Sequence, residues 1–401
     1  MLTYKYKARD TASNKIVSST IQANSEAAAA RLLMAQHIVP LEIKTVDQSG
    51  PLAKLTNKVS TKQLVIFTRQ LSTMLNAGLP LAQSLATVQE QTNSTALKNI
   101  AGDIVASING GASLSSAIKK YPDVFNNVYV ALVEAGETSG TLDEALQRLA
   151  NQLEHDSDML GKIKGAMMYP AIVLVVIIGV VIFMLVSLVP QVKSLYDDMG
   201  KTLPLQTLIL QGIADFIIKY WWLTLLVLAG LIVFINRWKK TDGGRKAIDT
   251  IKLNVPLFAP LLRKLYMARF SRTMETLIKS GVSMLESLKI SADAVNNVVV
   301  KEEILSATGK VKNGKSLSES LSNQDYILPF VPQMIKIGET SGGIDAMLAK
   351  VADYYDKEVD NAINNISTLI EPILMVVMAG MIGFIVLAVL LPIYTLSTSL
   401  E

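Results

Sequence analysis

Few residues of this chain have the types and spacing that catalysis or metal binding requires. The sequence contains no cysteine and only two histidines, His37 and His155, which lie in unrelated segments. Disulfides, thiolate zinc sites and cysteine nucleophiles are therefore excluded, and a histidine-based metal or catalytic cluster is not expected. We accordingly predict that the chain is not an enzyme and uses no cofactor and no metal.

One segment matches a nucleotide-binding motif. Residues 309–316, GKVKNGKS, fit the phosphate-binding pattern GxxxxGK[ST]. That motif needs a buried strand before it and a helix after it, whereas the charged, helix-like segment KEEIL precedes it here. The first half of the chain has Ala106 and Ala112 at the positions equivalent to Gly309 and Lys315. We interpret the shared Gly-x-Ser-Leu as a turn followed by a serine helix cap, not as a nucleotide site.

The pentapeptide Gly-Glu-Thr-Ser-Gly occurs twice and is the most distinctive motif. Its candidate site residues are Gly136, Glu137, Ser139, Gly140, Gly338, Glu339, Ser341 and Gly342. In a structural corner, the glycines would supply left-handed backbone, serine or threonine would cap the next helix, and glutamate would accept backbone amides. Alternatively, the exposed carboxylate would dock a partner or a cation. The structural interpretation is favoured, and neither is catalytic because the serine has no base nearby.

The two pentapeptides belong to a long internal repeat, offset by 203 and then, after a one-residue deletion, by 202 residues. Apolar positions such as Leu64, Phe67 and Leu71 follow helical spacing, and glycine and asparagine clusters interrupt them. This pattern predicts an all-α bundle of roughly six helices in each copy. Thr141 and Glu144 are expected to form a capping box at the start of one helix.

Residues 1–46 follow a different pattern. LTYKYKAR, KIVSSTIQA and VPLEIKTV alternate like strands, and Ser25 is expected to cap a short helix that runs through Gln36. No apolar stretch of signal-peptide length follows the basic residues at the start, so the N-terminus is predicted to lie in the cytoplasm. The net charge of only +4 gives no general footprint for nucleic acid.

Three apolar stretches are long enough to predict transmembrane helices. Pro170 is expected in the first turn of the first span, and Glu371 and Pro372 open the third. Basic residues precede the first span and follow the second, while the charges of the loop between them balance, so both repeats are predicted inside and that loop outside. Glu371 is expected in the headgroup zone, or alternatively packed against a partner helix.

The predicted fold is therefore mainly α and polytopic, with two repeated cytoplasmic helical bundles, three transmembrane helices and a small N-terminal α/β module. The predicted boundaries are the N-terminal module 1–46, a linker 47–62, the first helical domain 63–168, transmembrane helix 169–190, an external loop 191–216, transmembrane helix 217–236, a connector 237–262, the second helical domain 263–370 and transmembrane helix 371–394.

These motifs together resemble a known family. The segment FTRQLSTMLNAGLPL, the paired corners followed by Leu and Asp, MYP and EPI where the chain enters the membrane, and VP and LP where it leaves are similar to the F-type platform proteins of type IV pilus assembly and type II secretion. The resemblance covers nearly the whole chain. It departs in the first hairpin, where the family often has glycines and this chain has Asn14 and Ser18.

The resemblance implies a multi-pass scaffold of the bacterial inner membrane. Such a scaffold couples a cytoplasmic hexameric assembly ATPase to the insertion of pilin or pseudopilin subunits, beside other inner-membrane assembly proteins, membrane lipid and a homo-oligomeric partner, with a dimer expected first. Pilus assembly is favoured over secretion, which would use the same scaffold. A small-molecule transporter or channel is the alternative from another class, and the absence of charged residues from the middle of the predicted spans argues against it.

Overall fold

The computed structural model describes residues 2–10, 16–23, 30, 34, 38–45, 59–198, 200, 205–322 and 324–398. Contacts divide the chain into two units, residues 1–60 with 92–99 and residues 61–91 with 100–401. The first unit contains the sheet, and the second contains both repeats except residues 92–99.

The three strands predicted near the N-terminus form one antiparallel sheet. They are β1 (Leu2–Asp10), β2 (Ile16–Ala23) and β3 (Ile38–Thr45), with β1 in the centre. The pairing of β1 with β3 shifts register between Lys7 and Ala8, where Pro40 is the residue opposite Ala8. Proline has no N–H to donate, so a ladder irregularity is expected beside it. The helix predicted from Ser25 to Gln36 falls largely outside the described residues.

Each repeat forms six helices, as the periodicity predicts. The helices of repeat one are α1 (Thr61–Asn76), α2 (Leu81–Gln91), α3 (Thr95–Asn109), α4 (Leu114–Ile118), α5 (Asn127–Ser139) and α6 (Leu142–Asp198). After α7 (Leu205–Lys219), α8 (Trp221–Trp238) and α9 (Asp242–Asn254), repeat two follows as α10 (Ala259–Lys279), α11 (Met284–Ala294), α12 (Val298–Lys312), α13 (Leu317–Ser322), α14 (Phe330–Ser341) and α15 (Ile344–Thr398).

Equivalent apolar residues make the cores of the two repeats. Phe67 and Phe270 are both buried, and so are Leu85 and Leu288. Removing such side chains from water is the main favourable term in forming a helical bundle, at about 25 cal/mol per Å². The shared core positions explain why two sequences that have diverged elsewhere keep one fold.

The last helix of each repeat runs unbroken into the apolar stretch that follows it. Pro170 and Pro190 lie inside the 57-residue helix α6, and Pro372 lies inside the 55-residue helix α15. The prediction that Pro170 occupies a first helical turn is therefore wrong, because α6 begins at Leu142. An interior proline removes one backbone hydrogen bond, but Pro170 is buried, and the turn before it packs on α15 through Ala166 and Met167.

Among the described residues, two helices are long and apolar enough to cross a membrane, α6 and the part of α15 that ends at Leu387. Only 11% of the most apolar window of each is buried within the chain. Val175 and Val376, for example, are exposed. Such continuous exposed apolar surface is expected of helices that face lipid.

The segment between the repeats is more helical than predicted. The predicted external loop, 191–216, contains the end of α6 and most of α7, and the chain bends at Tyr220, so the helix of the predicted second span begins at Trp221 rather than at residue 217. The predicted connector, 237–262, contains α9, whose first turn is capped when the Gly244 amide donates to the Thr241 hydroxyl. The second repeat begins at Ala259, four residues before its predicted start.

Candidate functional site

Both pentapeptides are helix-to-helix corners. At the end of α5, Gly140 has a φ of +74°, and at the end of α14, Gly342 has a φ of +76°. The amide of Thr141 donates to the carbonyl of Gly136 at 2.9 Å, and the equivalent amide of Gly343 donates to Gly338 at 3.0 Å. This pattern satisfies carbonyls at the end of the helix, and it needs a left-handed residue, for which glycine is best suited.

The first glycine of each corner has a separate reason to be glycine. A Cβ atom on Gly136 would lie 2.6 Å from the Cβ of Ala145 and 3.1 Å from the Cα of Leu142. A Cβ on Gly338 would lie 2.8 Å from the Cα of Ile344. These distances are too short for any larger residue, so the glycines allow consecutive helices to cross closely at the corner.

The glutamate of each corner caps a short helix of its own repeat. The carboxylate of Glu137 accepts from the amides of Leu114 at 2.5 Å and Ser115 at 3.1 Å and from the Ser115 hydroxyl at 2.5 Å. Glu339 accepts from Leu317 and Ser318 in the same way. A carboxylate at a helix N-terminus satisfies unpaired amides and is favoured by the helix dipole.

The surface that each corner presents to solvent is formed by hydroxyl groups. Thr138 and Ser139 are exposed, and the Ser139 hydroxyl donates to the carbonyl of Ala135 at 2.8 Å. The expected capping box does not form as predicted, because the Thr141 hydroxyl lies 2.7 Å from that of Ser139 and Glu144 pairs with Arg148. Arg148 lies at the i+4 position from Glu144, where a helix brings opposite charges together.

The phosphate-binding pattern lies in a helical context. Gly309 is inside helix α12, and Gly314, with a φ of +88°, forms the turn after it. Lys315 pairs with Glu319 at 3.1 Å on the surface. The serine that follows caps α13, since the amide of Glu319 donates to the Ser316 hydroxyl. A strand followed by a loop that wraps phosphate is therefore not what this segment forms.

Within each repeat, an arginine of the first helix holds the last helix. The Arg69 Nε donates to Glu154 at 2.6 Å, and Arg69 also donates to Asn151. At the equivalent positions in repeat two, Arg272 donates to Asp353 and Asp356, both at 2.7 Å. Burial opposes the charge of Asp356, but hydrogen bonds from His155 and Arg272 outweigh it and lower the pKa of that carboxyl.

A second set of polar contacts joins the two repeats. We define the inter-repeat seam by its contacting pairs, which are Asn127 with Asp293, Arg148 with the carbonyl of Lys279, Gln152 with Thr273, His155 with Asp356, Asp156 with Arg269 and Lys162 with Asp360. Its centre is dry, since Gln152 is 9% exposed and donates to the Thr273 hydroxyl at 2.9 Å. Apolar contacts continue the seam toward the membrane, where Met159 and Leu265 pack with Ile363.

One pair of the seam contains a histidine. His155 Nε2 lies 3.1 Å from Asp356, and this hydrogen bond raises the pKa of the imidazole above its ordinary value. Asp156 lies beside the same pair, and its burial raises the pKa of its carboxyl. The contact between α6 and α15 therefore depends on the protonation of His155.

The sequence predicted the two corners but missed the seam and the arginine–carboxylate pairs within each repeat. Those pairs carried a usable signal, because Arg69 and Arg272 are equivalent in the repeat, as are Glu154 and Asp356. Of the residues predicted where the chain enters the membrane, Pro170 is buried in α6, whereas Glu371 and Pro372 are exposed on α15. The structure does not gather these three residues and the corners into one site.

Comparison with known proteins places these features in a family context. The sequence profile described as type II secretion system (T2SS), protein F, matches residues 67–190 and again 270–392. A second profile, the N-terminal domain of the type II secretion system protein F, matches residues 1–44. The two larger matches coincide with the two repeats and their apolar helices.

Curated relatives are similar over the full length. The chain is 39% identical to the type IV pilus assembly protein PilC of Thermus thermophilus, over 100% of both chains. It is 34% identical to the protein of the same name from Pseudomonas aeruginosa, over 91% of this chain and 97% of that one. It is 31% identical to the type II secretion system protein F of Vibrio cholerae, over 98% of each.

Proposed function

Because the chain belongs to the family of type II secretion system protein F, we propose that it is the inner-membrane platform of a type IV pilus assembly machine. The observation that carries this proposal is the 39% identity, over both full lengths, to a protein named for type IV pilus assembly. The equivalent platform of a type II secretion system is the second candidate, favoured by the relatives that carry that name.

In this role the chain transmits motion and does not catalyse a reaction. The cytoplasmic ATPase of the machine would act on the two helical repeats, and pilin subunits would meet the apolar surfaces of α6 and α15. Added Cβ atoms on Gly179, Gly380 and Gly383 would meet nothing within 4 Å. Small residues on an open helix surface favour close packing of another membrane helix, as guidance of a pilin helix requires.

The proposed topology has three spans, with α8 as the second. Arg237 lies in the last turn of α8 and Lys239 follows it, and Lys162 and Lys164 precede the apolar part of α6. Basic flanks stay in the cytoplasm. The N-terminus and both repeats would then lie inside, and the segment around residue 200 outside.

The proposed partners follow from the same role. They are a cytoplasmic assembly ATPase, pilin or pseudopilin subunits, other inner-membrane assembly proteins, membrane lipid and a second copy of the chain. The exposed hydroxyls of Thr138 and Thr340 mark the surface that the corners offer to such a partner, because the glutamates are engaged within their own repeats.

Deletion of the gene and complementation test the proposal. The strain without the protein should lose surface pili, seen by electron microscopy, and expression of the full chain should restore them. The variant Lys315→Ala is the matched control and should restore pili fully, because repeat one has alanine there. Retained pili with loss of protein secretion would favour the second candidate, and solute uptake into vesicles that carry the purified chain would support a transporter instead.

A further inference from the structure

The inter-repeat seam joins two different faces of the repeated domain. Repeat one contributes α5 and α6, which we call the front face, and repeat two contributes α10 and α11, which we call the back face. Asp356 and Asp360 of α15 also contact α6 in the seam. Helices α14 and α15 are the front face of repeat two, and α1 and α2 are the back face of repeat one. Each chain therefore carries one further back face outside the seam and one further front face, of which only the side of α15 that holds Asp356 and Asp360 contacts α6.

The front face of repeat two is open at the positions equivalent to the seam. Lys350, Tyr354 and Lys357 correspond to Arg148, Gln152 and His155, and all three are exposed. Tyr354 occupies the position at the dry centre of the seam and is 45% exposed. On α14, Ile337 corresponds to Ala135 and is 53% exposed.

The back face of repeat one is open in the same way. Ile66, which corresponds to Arg269, is 48% exposed, and Leu79, which corresponds to Val282, is 40% exposed. Gln70 corresponds to Thr273, the residue that receives Gln152 in the seam, and it is half-buried. Both open faces thus carry large apolar side chains at positions outside the predicted membrane spans.

At three of the equivalent positions the open faces carry a more apolar residue. Glutamine is replaced by Tyr354, alanine by Ile337 and arginine by Ile66, whereas Gln70 in place of threonine and Lys357 in place of histidine stay polar. The ring of Tyr354 lies 4.6 Å from that of Phe330 and 5.2 Å from that of Tyr355, measured between centroids. A tyrosine held in this way loses little side-chain freedom on binding and is well suited to anchor an interface.

We infer that a second copy of the chain covers these faces, with the front face of its repeat two on the back face of repeat one. The seam shows that a front face and a back face of this fold fit together, and a second copy brings the same pair. Tyr354 of one copy would then lie against Gln70 of the other, as Gln152 lies against Thr273. Such head-to-tail contacts close into a ring or extend from copy to copy.

Cysteine cross-linking in membranes tests this arrangement directly, because the chain has no cysteine of its own. Two full-length chains with different tags are co-expressed, one with Gln70→Cys and one with Tyr354→Cys. A short thiol-specific cross-linker should then join the two tags in a species of twice the mass. The doubly substituted chain Gln152→Cys/Thr273→Cys is the positive control, with its link inside one chain found by mass spectrometry.

The matched negative control replaces Tyr354→Cys with Ser306→Cys, an exposed position of α12 outside both faces. The proposed pair should give severalfold more cross-linked dimer than this control. Equal yields for the two pairs, with the internal control linked, would overturn the inference. Capture of a different protein by Tyr354→Cys, with Gln70→Cys unlinked, would overturn it as well.

A second measurement does not depend on the cross-linker. Tyr354→Lys places a charge at the centre of the open front face and should shift the purified chain to a smaller species in size-exclusion chromatography. An unshifted species with unchanged melting would contradict the inference. The inference rests on the proposed function in one respect, that the chain associates with itself. Pilus assembly is measured in a separate experiment, so a failed cross-link in a strain with restored pili would overturn this arrangement and leave the proposed function intact.

Discussion

At the scale of single residues, Glu137 and Glu339 connect parts of the chain that are far apart in sequence. Helix α4 has five residues, too few to form stably alone because helix nucleation is unfavourable. The carboxylate of Glu137 accepts hydrogen bonds from the first two amides of α4, although it lies 23 and 22 residues further along the chain. The glutamate thus ties the start of one helix to the end of another.

We expect Glu137→Gln to destabilise the chain by about 1–2 kcal/mol, the usual cost of losing a charged hydrogen-bond acceptor. The amide retains one acceptor oxygen but loses the charge that favours the helix N-terminus. Thermal melting of the purified chain in detergent measures the change. Glu339→Gln should act similarly in repeat two, and the exposed Glu134→Gln, one turn earlier on α5, serves as the control.

Two outcomes would contradict this account of the corner. Wild-type melting of Glu137→Gln, with loss of binding to the assembly ATPase, would indicate that the carboxylate docks a partner. Wild-type melting and normal pilus assembly in both variants would refute the structural and the docking interpretations together.

The corners were predictable because their composition is local and repeated. Glycine at Gly140 follows from the backbone of a helix end, and the sequence supplies it twice. The sequence predicted that Glu137 accepts hydrogen bonds from backbone amides. It could not identify the donors, because nothing in the sequence brings Leu114 next to residue 137. Long-range pairing depends on how the helices pack.

At the scale of helices, the seam links α6 to α15 through a titrating pair. The pKa of His155 is raised above 6.5, so its contribution to stability is complete below that pH and is lost as the pH rises through the raised value. Burial raises the pKa of Asp156 above 3.8, so its contribution also declines with rising pH. The pKa of Asp356 is lowered, so the effect of this carboxyl on stability has the opposite sign. Its stabilising contribution is present above pH 3.8 and is lost only as the pH falls below that value.

We therefore expect the melting temperature to fall as the pH rises above about 6.5, the ordinary pKa of histidine. His155→Gln keeps a donor for Asp356 but does not titrate, so it should flatten this slope. Lys162→Gln removes the neighbouring seam pair with Asp360 but keeps His155, so it should leave the slope intact. An unchanged slope in His155→Gln would show that the pair does not set the pH dependence.

Helix number was predictable from periodicity, but helix continuity and the seam were not. Pro170 suggested a boundary, since proline disfavours helix interiors, yet packing against α15 overrides that local preference. The seam escaped the repeat comparison because it pairs positions that are not equivalent, such as Gln152 and Thr273. Comparing the two repeats reveals contacts that both copies make internally, but it gives no information about contacts between the copies.

At the scale of the whole molecule, the proposed topology predicts the result of reporter fusions. A periplasmic reporter fused after residue 200 should be active, and one fused after residue 300 should be inactive, since Arg237 and Lys239 hold the end of α8 inside. A cytoplasmic reporter at the same two sites is the control and should give the reverse. Activity of the periplasmic reporter only after residue 300 would overturn the orientation.

The unbroken length of α6 has a mechanical consequence. At about 1.5 Å per residue, 57 helical residues extend roughly 85 Å, nearly three times the hydrocarbon core of a bilayer. Because α6 continues as one helix through Pro170 and Pro190, a rotation of its cytoplasmic end would be carried along the same helix into the apolar part. A quarter turn imposed by a motor on the repeats would therefore turn the apolar side of α6 through a quarter turn within the lipid, so that work done on one side of the membrane moves a surface inside it.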